Sequence, residues 1–483
     1  MSEPRELPRR VVVAGDGQLG VLAAIALRRA LPSSDVVVVG TPPDPAAIAD
    51  RVPTALPFTN KLHDRLGIDE DRLVREAGAG HRLVVRYRGW GGAGQEGVAA
   101  YGAVIDPRLR TGFARDWGGG PRGSATAAPP GSIAEVLAAE GRFAPPSGGA
   151  DSPLADLDYA LRWSVPAYRD LLIGEAQRLG VQYVRGAIGA AQPDGEGGIA
   201  AVAIEGAGPV EADLFVDCTG PDAVLLARLP EASRTAWNAH SPIRALLFGR
   251  PAEPVLALED RIDRVEQGWL SQLAGRDGRQ AMLALVDGVG EQAALAALSA
   301  EPLGLVPMDQ GCAREPWLGN VVALGDAAAH FEPLAWLNLD LAHRQLALLL
   351  ELLPGRRPDP RERAEFNRRS GQMADGVRDL LGAHYAAPGA DFGPLERSPQ
   401  LDRELDQYRR RGRLPFREEA PLLVQEHSAL LQALGHEAGD GPLALAANPR
   451  EAEAAGAAFA VRAQAALRAA PPYGAWLTER LGR

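Results

Sequence analysis

The first forty residues alternate apolar blocks with short polar breaks. Arg9–Ala14 (RRVVVA) is a β-branched run stopped by Gly15, the pattern of a buried parallel strand. Val21–Leu31, rich in Ala and Leu, predicts a helix, and Asp35–Val39 (DVVVV) predicts a second strand. Together they make a βαβ unit of roughly 30 residues, the length a parallel crossover needs. Further along, Val165–Leu179 predicts a helix with Ser164 as N-cap, Pro166 in the first turn and Gly180 just past the end. Val181–Val184, Ile199–Ile204 and Leu214–Val216 read as strands. Trp117–Asp151, rich in Gly, Pro, Ala and Ser, reads as a long loop interrupted by a short helix at Ser132–Glu140. A surface insertion is its simpler reading and a lid over a pocket the alternative. The second half turns helical. Asn448-Pro449-Arg450-Glu451 resembles a capping box ahead of an Ala-rich helix that reaches Ala470.

Composition narrows the class. A chain of 483 residues exceeds what one core holds, since cores stop growing at about 250–300 residues, so two modules are expected, with interleaving in sequence allowed. The net charge of -11 removes any general attraction for nucleic acid or an anionic membrane surface. The two cysteines, Cys218 and Cys312, give neither a metal-ligand spacing nor a disulfide framework, which fits a reducing cytoplasm. Met1–Arg10 is polar and lacks the apolar core of a signal peptide. The apolar stretch Leu346–Leu350 is cut by Glu351, and no run approaches the roughly 18 apolar residues that span a bilayer.

Candidate chemistry begins at the first turn. Gly15-Asp16-Gly17-Gln18-Leu19-Gly20 matches G-x-G-x-x-G after a strand and before a helix. Gly15 permits the tight turn, Gly17 lets backbone approach a pyrophosphate, and Gly20 lets helix and strand pack closely. A tight βα turn without a ligand is the simpler alternative. The acidic residue that usually ends the second strand and holds the adenosine ribose is missing: the strand runs into Gly40-Thr41-Pro42-Pro43, and Asp44 lies a few residues beyond. Dinucleotide affinity is therefore expected to be weakened, or carried elsewhere. Downstream, Gly319–Ala329 (GNVVALGDAAA) is a strand running into the Gly325-Asp326 turn and then a helix, a pattern that places an aspartate near a ribityl chain. Asp213–Gly220 (DLFVDCTG) is a third strand ending at a turn. The pairing of these turns with the upstream glycine loop points to FAD rather than NAD. His330, beside the Gly-Asp turn, is more often structural than functional in such a place, and the run Arg409–Arg411 reads as a solvated helix end.

On these residues the chain resembles the flavin-dependent tryptophan halogenase family over nearly its whole length. The likeness takes in the GDGQLG loop, Leu66–Glu70 leading to Gly89-Trp90, DLFVDCTG, Glu315–Leu334 (EPWLGNVVALGDAAAHFEPL) and the tail with Arg409–Pro415 (RRRGRLP). It implies an α/β fold: a glutathione-reductase-like Rossmann FAD-binding box with a mixed substrate sheet over residues 1–350, and a helical C-terminal module over 351–483. It also implies FAD held by Gly15, Gly17, Gly20, Gly325, Asp326 and Pro333, reduced flavin supplied by a separate flavin reductase, and a small aromatic substrate; a homodimer is left open. In the family, reduced flavin and oxygen turn halide into hypohalous acid, which passes to a lysine while a glutamate assists attack on the ring.

The chain departs from that pattern at the reacting groups. Arg82 stands in the lysine slot, eight residues before Trp90, and a guanidinium stays charged and is a poor nucleophile. After Glu332-Pro333-Leu334, Ala335 stands in the glutamate slot and Trp336-Leu337 replace a Ser-Thr pair. Of the W-x-W-x-I-P signature, thought to keep the flavin from ordinary monooxygenase chemistry, only Trp269 survives in Trp269–Ala274. Arg82 is expected to bind an anionic substrate or, more commonly, a carboxylate of a neighbouring strand. Trp336 is expected either to plug the core or to stack on an aromatic ligand. Two functions follow: a flavin-dependent, monooxygenase-type oxidoreductase acting on an aromatic or indolic substrate, with halogenation itself doubtful, or a pseudoenzyme that keeps the scaffold for a ligand, a partner or a non-redox step.

Overall fold

The computed structural model describes residues 6–41, 43–102, 131–146, 152–439 and 449–482. The opening pattern forms as its periodicity requires. β1 (Arg10–Ala14) is followed by α1 (Gln18–Ala30) and β2 (Asp35–Gly40), with β1 and β2 paired in parallel from Arg10 opposite Asp35 to Ala14 opposite Val39. The β-branched residues of both strands are buried: α1 packs against the two strands, and Val12, Val37 and Val39 share a core with Ile199, Val202 and Ile204 of the strand Ile199–Ile204.

The chain makes two compact units, each assembled from three separate stretches. The first comprises Met1–Ala79, Trp163–Leu246 and Leu305–Arg378. Its main sheet has six strands in the order Trp317–Leu318, Val321–Ala323, Leu214–Asp217, β1, β2 and Gln182–Arg185. All neighbours are parallel except the edge pair Trp317–Leu318 and Val321–Ala323. This arrangement brings the C-terminal ends of β1, Leu214–Asp217 and Val321–Ala323 side by side, although more than 200 residues of sequence separate the first from the second. In open parallel sheets that edge is where ligands bind.

The second unit comprises Gly80–Arg162, Leu247–Gly304 and Asp379–Arg483. Its core is a mixed sheet in which Gln280–Val286, Gly268–Leu273, Glu259–Val265, Val84–Arg88 and Glu96–Ala100 lie in that order. Glu259–Val265 and Val84–Arg88 run parallel, and the pairs on either side of them are antiparallel. Helices Pro399–Arg411, Val424–Ala433, Pro449–Ala469 and Tyr473–Leu481 belong to the same unit.

Local signals in the sequence set several boundaries. The helix Val165–Arg178 starts after Ser164 with proline in its first turn. Ser132 caps the helix Ile133–Ala139, its hydroxyl accepting from the Glu135 N–H at 3.1 Å. Most of the remaining Trp117–Asp151 segment lies outside the described residues, as does Asn448, while the helix Pro449–Ala469 lies within them. The run Arg409–Arg411 is exposed at the end of its helix, with Arg409 and Arg410 paired to Asp406 and Gly412 closing the turn at φ 62°. No helix among the described residues is long and apolar enough to cross a membrane, and no group of three or more His, Cys, Asp or Glu among them is placed to hold a metal ion.

Candidate functional site

The glycine loop begins at the end of β1. Gly15 has φ 103°, and a Cβ there would lie 2.5 Å from the Cys218 carbonyl oxygen, so the turn admits only glycine. A Cβ at Gly20 would lie 2.1 Å from the Gly15 carbonyl oxygen, which is the close helix-to-loop packing the motif anticipates. The loop therefore has the expected shape, and α1 presents its N-terminal N–H groups there with no acidic side chain of its own first turn to satisfy them.

What approaches Gly17 is a side chain of the same protein. A Cβ at Gly17 would lie 2.1 Å from Asp50 Cγ and Oδ2 and 2.3 Å from Oδ1. The Leu19 N–H donates to Asp50 Oδ1 at 3.0 Å, so a carboxylate already takes up a donor of the helix N-terminus. The short 3-10 turn Ile48–Asp50 that carries it is fastened from both sides. Gln18 Nε2 donates to the Ala49 and Val52 carbonyls at 2.7 and 2.9 Å, and Trp163 Nε1 in turn donates to Gln18 Oε1 at 2.9 Å. The Ala49 N–H donates to Asp326 Oδ2 at 2.7 Å. Burial pushes the Asp50 carboxyl up to about 7; the Leu19 N–H opposes this, and the Asp326 and Asp16 carboxylates reinforce it.

The Gly-Asp turn faces the same place. Gly325 has φ 61°, and its N–H donates to Gln345 Oε1 at 3.0 Å. Asp326 uses its second oxygen on His330, 2.8 Å from Nδ1, and both side chains are buried. His330 thus positions Asp326, the structural role its location favoured. At the neighbouring strand end, Asp217 accepts from Thr219, Leu225 and Leu226 and braces the turn; burial pushes its carboxyl up from its ordinary value, against these bonds.

The missing ribose acid has a structural counterpart. Gly40 has no positive φ, and a Cβ there would lie 3.3 Å from Asp16 Oδ2. Asp16 is in turn gripped by Arg169, whose NH2 reaches Oδ2 at 2.6 Å. Asp44 folds back on its own turn, accepting from the Ala46 N–H at 2.7 Å.

Pro333, Ala335 and Trp336 lie between the Gly-Asp turn and the helix Leu337–Glu351. Ala335 and Trp336 are both left-handed, at φ 58° and 56°, a conformation that costs a non-glycine residue roughly 1–2 kcal/mol each. Trp336 is 1% exposed. Its ring and Leu337 occupy positions where the resemblance implied hydroxyls, with apolar bulk sealed in the core.

Arg82 belongs to the second unit and is fully buried, as is its partner. Its NH1 lies 3.2 Å from Asp260 Oδ2, and Arg162 NH1 lies 2.6 Å from Asp260 Oδ1. Asp260 also accepts from the Ala274 N–H at 3.0 Å, and Arg162 NH2 reaches the carbonyls of His81 and Ala257. Arg82 further lies 5.5 Å from the centre of the Tyr101 ring. The preceding residue His81 is packed among aromatic rings, 4.1 Å from Phe143 and 4.8 Å from Trp476 between centroids. The slot eight residues before Trp90 therefore holds a buried two-arginine, one-aspartate triad. Trp269 is likewise fully buried, and Ser271 beside it in the same strand is buried too.

Sequence reasoning missed Asp50, Arg169, Arg162 and Asp260. For Asp260 a faint signal existed: the strand Glu259–Val265 alternates, with Asp260 and Ile262 inward, so one acid of a charged strand had to be buried. For Asp50 there was none.

The first unit is an α/β dinucleotide-type box, a parallel sheet with a glycine loop and a Gly-Asp turn at its C-terminal edge. Residues 10–428 match the tryptophan halogenase family model. The chain is 25% identical over 423 residues to tryptophan 7-halogenase RebH of Lentzea aerocolonigenes, covering 79% of this chain and 77% of that protein. It is 27% identical over 424 residues to tryptophan 7-halogenase KtzQ of Kutzneria sp. (strain 744), with the same coverage. Among solved structures, BrvH, a flavin-dependent halogenase from Brevundimonas sp. BAL3, shares the fold with a TM-score of 0.87 at 22% identity, covering 98% of this chain and 99% of that one. The chain belongs to the tryptophan halogenase family.

That family is flavin-dependent, and FAD is the group it implies. The glycine loop of this chain has the shape for a diphosphate, but the acceptor that lies against it is the Asp50 carboxyl. With that carboxylate in place, a diphosphate does not fit against Gly17 and the Leu19 N–H.

Proposed function

We propose that this member of the halogenase family is a flavin-linked oxidoreductase acting on a small aromatic or indolic substrate by monooxygenase-type chemistry, with the lysine-borne halogen relay lost. The observation that carries the loss is the Arg82–Asp260–Arg162 triad. A relay needs a neutral amine open to hypohalous acid; the slot holds a permanently charged guanidinium, fully buried and committed to a carboxylate. Ala335 supplies no carboxylate for a ring cation, and the apolar Trp336 and Leu337 disfavour a halide ion beside them. The replacement of the second signature tryptophan by Ser271 supports the monooxygenase direction.

A second reading, a halogenase-fold protein that binds a ligand or partner without redox chemistry, is favoured by Asp50 in the glycine loop. An absorption spectrum of the purified chain before and after FAD, followed by incubation with a flavin reductase, NADH, oxygen and indole, separates the two. Flavin uptake with an oxygenated product supports the first; a chain that takes up no flavin and forms no product refutes it.

A further inference from the structure

The Asp50 carboxylate occupies the position that a G-x-G-x-x-G loop keeps for an external anion, and we propose that it is an internal gate: a diphosphate-bearing ligand such as FAD or ADP binds the Gly15–Gly20 loop only when Asp50 swings out. The proposal rests on the flavin reading above and adds its control. Three features carry it. The carboxylate lies where a single methyl at Gly17 would overlap it, so the space is filled. It takes the Leu19 N–H, one of the donors a diphosphate would use. The segment that carries it is tied at Ala49 to Asp326 and at Ala49 and Val52 to Gln18, so both signature turns of the box hold the gate shut.

The same geometry shows what opening requires. Asp50 rides on a three-residue 3-10 turn followed by Arg51, whose side chain turns away to the Pro45 carbonyl at 2.7 Å. Movement of Ile48–Val52 as a piece would free the Leu19 N–H and both oxygens' space together. It would also release Asp326 from Ala49, giving that aspartate an acceptor oxygen for a ligand hydroxyl. The groups that act on Asp50 electrostatically are Asp16 and Asp326, which disfavour its charge, and Arg169, which grips Asp16 and favours that charge; His330 lies behind Asp326, and buried Cys218 feels the Asp50 charge in turn. Burial, together with the Asp16 and Asp326 carboxylates, disfavours the charged form of Asp50 in the closed position, so protonation holds the gate shut and ionisation at higher pH favours swinging the carboxylate out to solvent.

The test is titration of FAD, followed by its fluorescence, and of ADP, followed by calorimetry, into the full chain and its Asp50→Asn and Asp50→Gly variants at pH 6 and pH 8. The expected result is at least tenfold tighter binding of both ligands in Asp50→Gly, which empties the space, with the parent binding more tightly at pH 8 than at pH 6, and Asp50→Asn, neutral and still filling the space, binding more weakly than the parent at pH 8 and losing that slope. The variant keeps Asp16, Arg169, Asp326, His330 and Cys218, so a slope that survives in it belongs to them and counts against the gate. Tight binding by the parent, unchanged in both variants, overturns the gate and leaves the flavin reading standing. No binding by parent or variants overturns both. Should a variant fail to fold, the pH arm on the parent decides alone: equal affinity at pH 6 and pH 8 sinks the proposal.

Discussion

Asp260→Asn tests the buried triad most sharply, because it removes one charge and almost no volume. In the folded chain Asp260 faces two guanidinium groups, Arg82 at 3.2 Å and Arg162 at 2.6 Å, and it is itself 1% exposed. The asparagine oxygen still accepts the Ala274 N–H, so that neutral bond survives. What is lost is the carboxylate that pairs with both buried cations. Breaking a buried pair by removing one partner costs about 3–5 kcal/mol, since the remaining charge is left without compensation. Arg82→Met should cost distinctly less, because Arg162 and Asp260 then form a one-to-one pair and the methionine fills apolar space. Urea denaturation followed by tryptophan fluorescence reports both, Trp90 and Trp269 lying in the same unit. The predicted order is Asp260→Asn far below Arg82→Met, with an unchanged dependence on urea. If Arg82→Met is as damaging as Asp260→Asn, or Asp260→Asn costs under about 1 kcal/mol, the triad does not act as a buried electrostatic unit.

The Asp50 carboxyl lies at about 7 in the folded chain, above its unfolded value of 3.8, so the unfolded chain releases this proton first and stability falls as pH rises through that window. Asp50→Asn should therefore match the parent near pH 4 and exceed it by a few kcal/mol near pH 8, read from urea midpoints; a gap that does not grow with pH contradicts the assignment. Ala335→Gly should be nearly neutral, relief of the left-handed strain offsetting glycine's entropy, whereas Ala335→Val should cost about 2 kcal/mol or more; equal effects in thermal melts would remove the backbone argument. Gly40→Glu should fail to tighten FAD binding although φ permits it, because the new carboxylate lies against Asp16; a tenfold gain in a fluorescence titration would show that Asp16 moves away.

What the sequence revealed was local. β1, Gly15, Gly20, α1 and the Gly325-Asp326 turn are specified by neighbours within a few positions, and so is the Val165–Arg178 helix with its Ser164 and Pro166 start. Arginine at 82 and alanine at 335 were legible too, as the residue types that the resemblance aligns by Gly89-Trp90 and Glu332-Pro333-Leu334. What each side chain touches was not. Arg82 meets Asp260 across 178 positions, Asp326 meets Ala49 across 277, and Asp50 reaches the glycine loop from 31 residues away with no spacing rule to announce it. Gly17 was read as room for a ligand; the room exists, and the chain fills it itself.

The central claim is that the halogen relay is gone, and one assay addresses it. The purified chain is incubated with a flavin reductase, NADH, FAD, halide and free tryptophan, and products are resolved by mass spectrometry. Loss of a stabilising group in a closed site typically lowers rate by roughly 10²- to 10³-fold, so the prediction is no enzyme-dependent halotryptophan above the scrambled background of free hypohalous acid. Chlorotryptophan or bromotryptophan formed at a single ring position, in proportion to enzyme, would contradict the account.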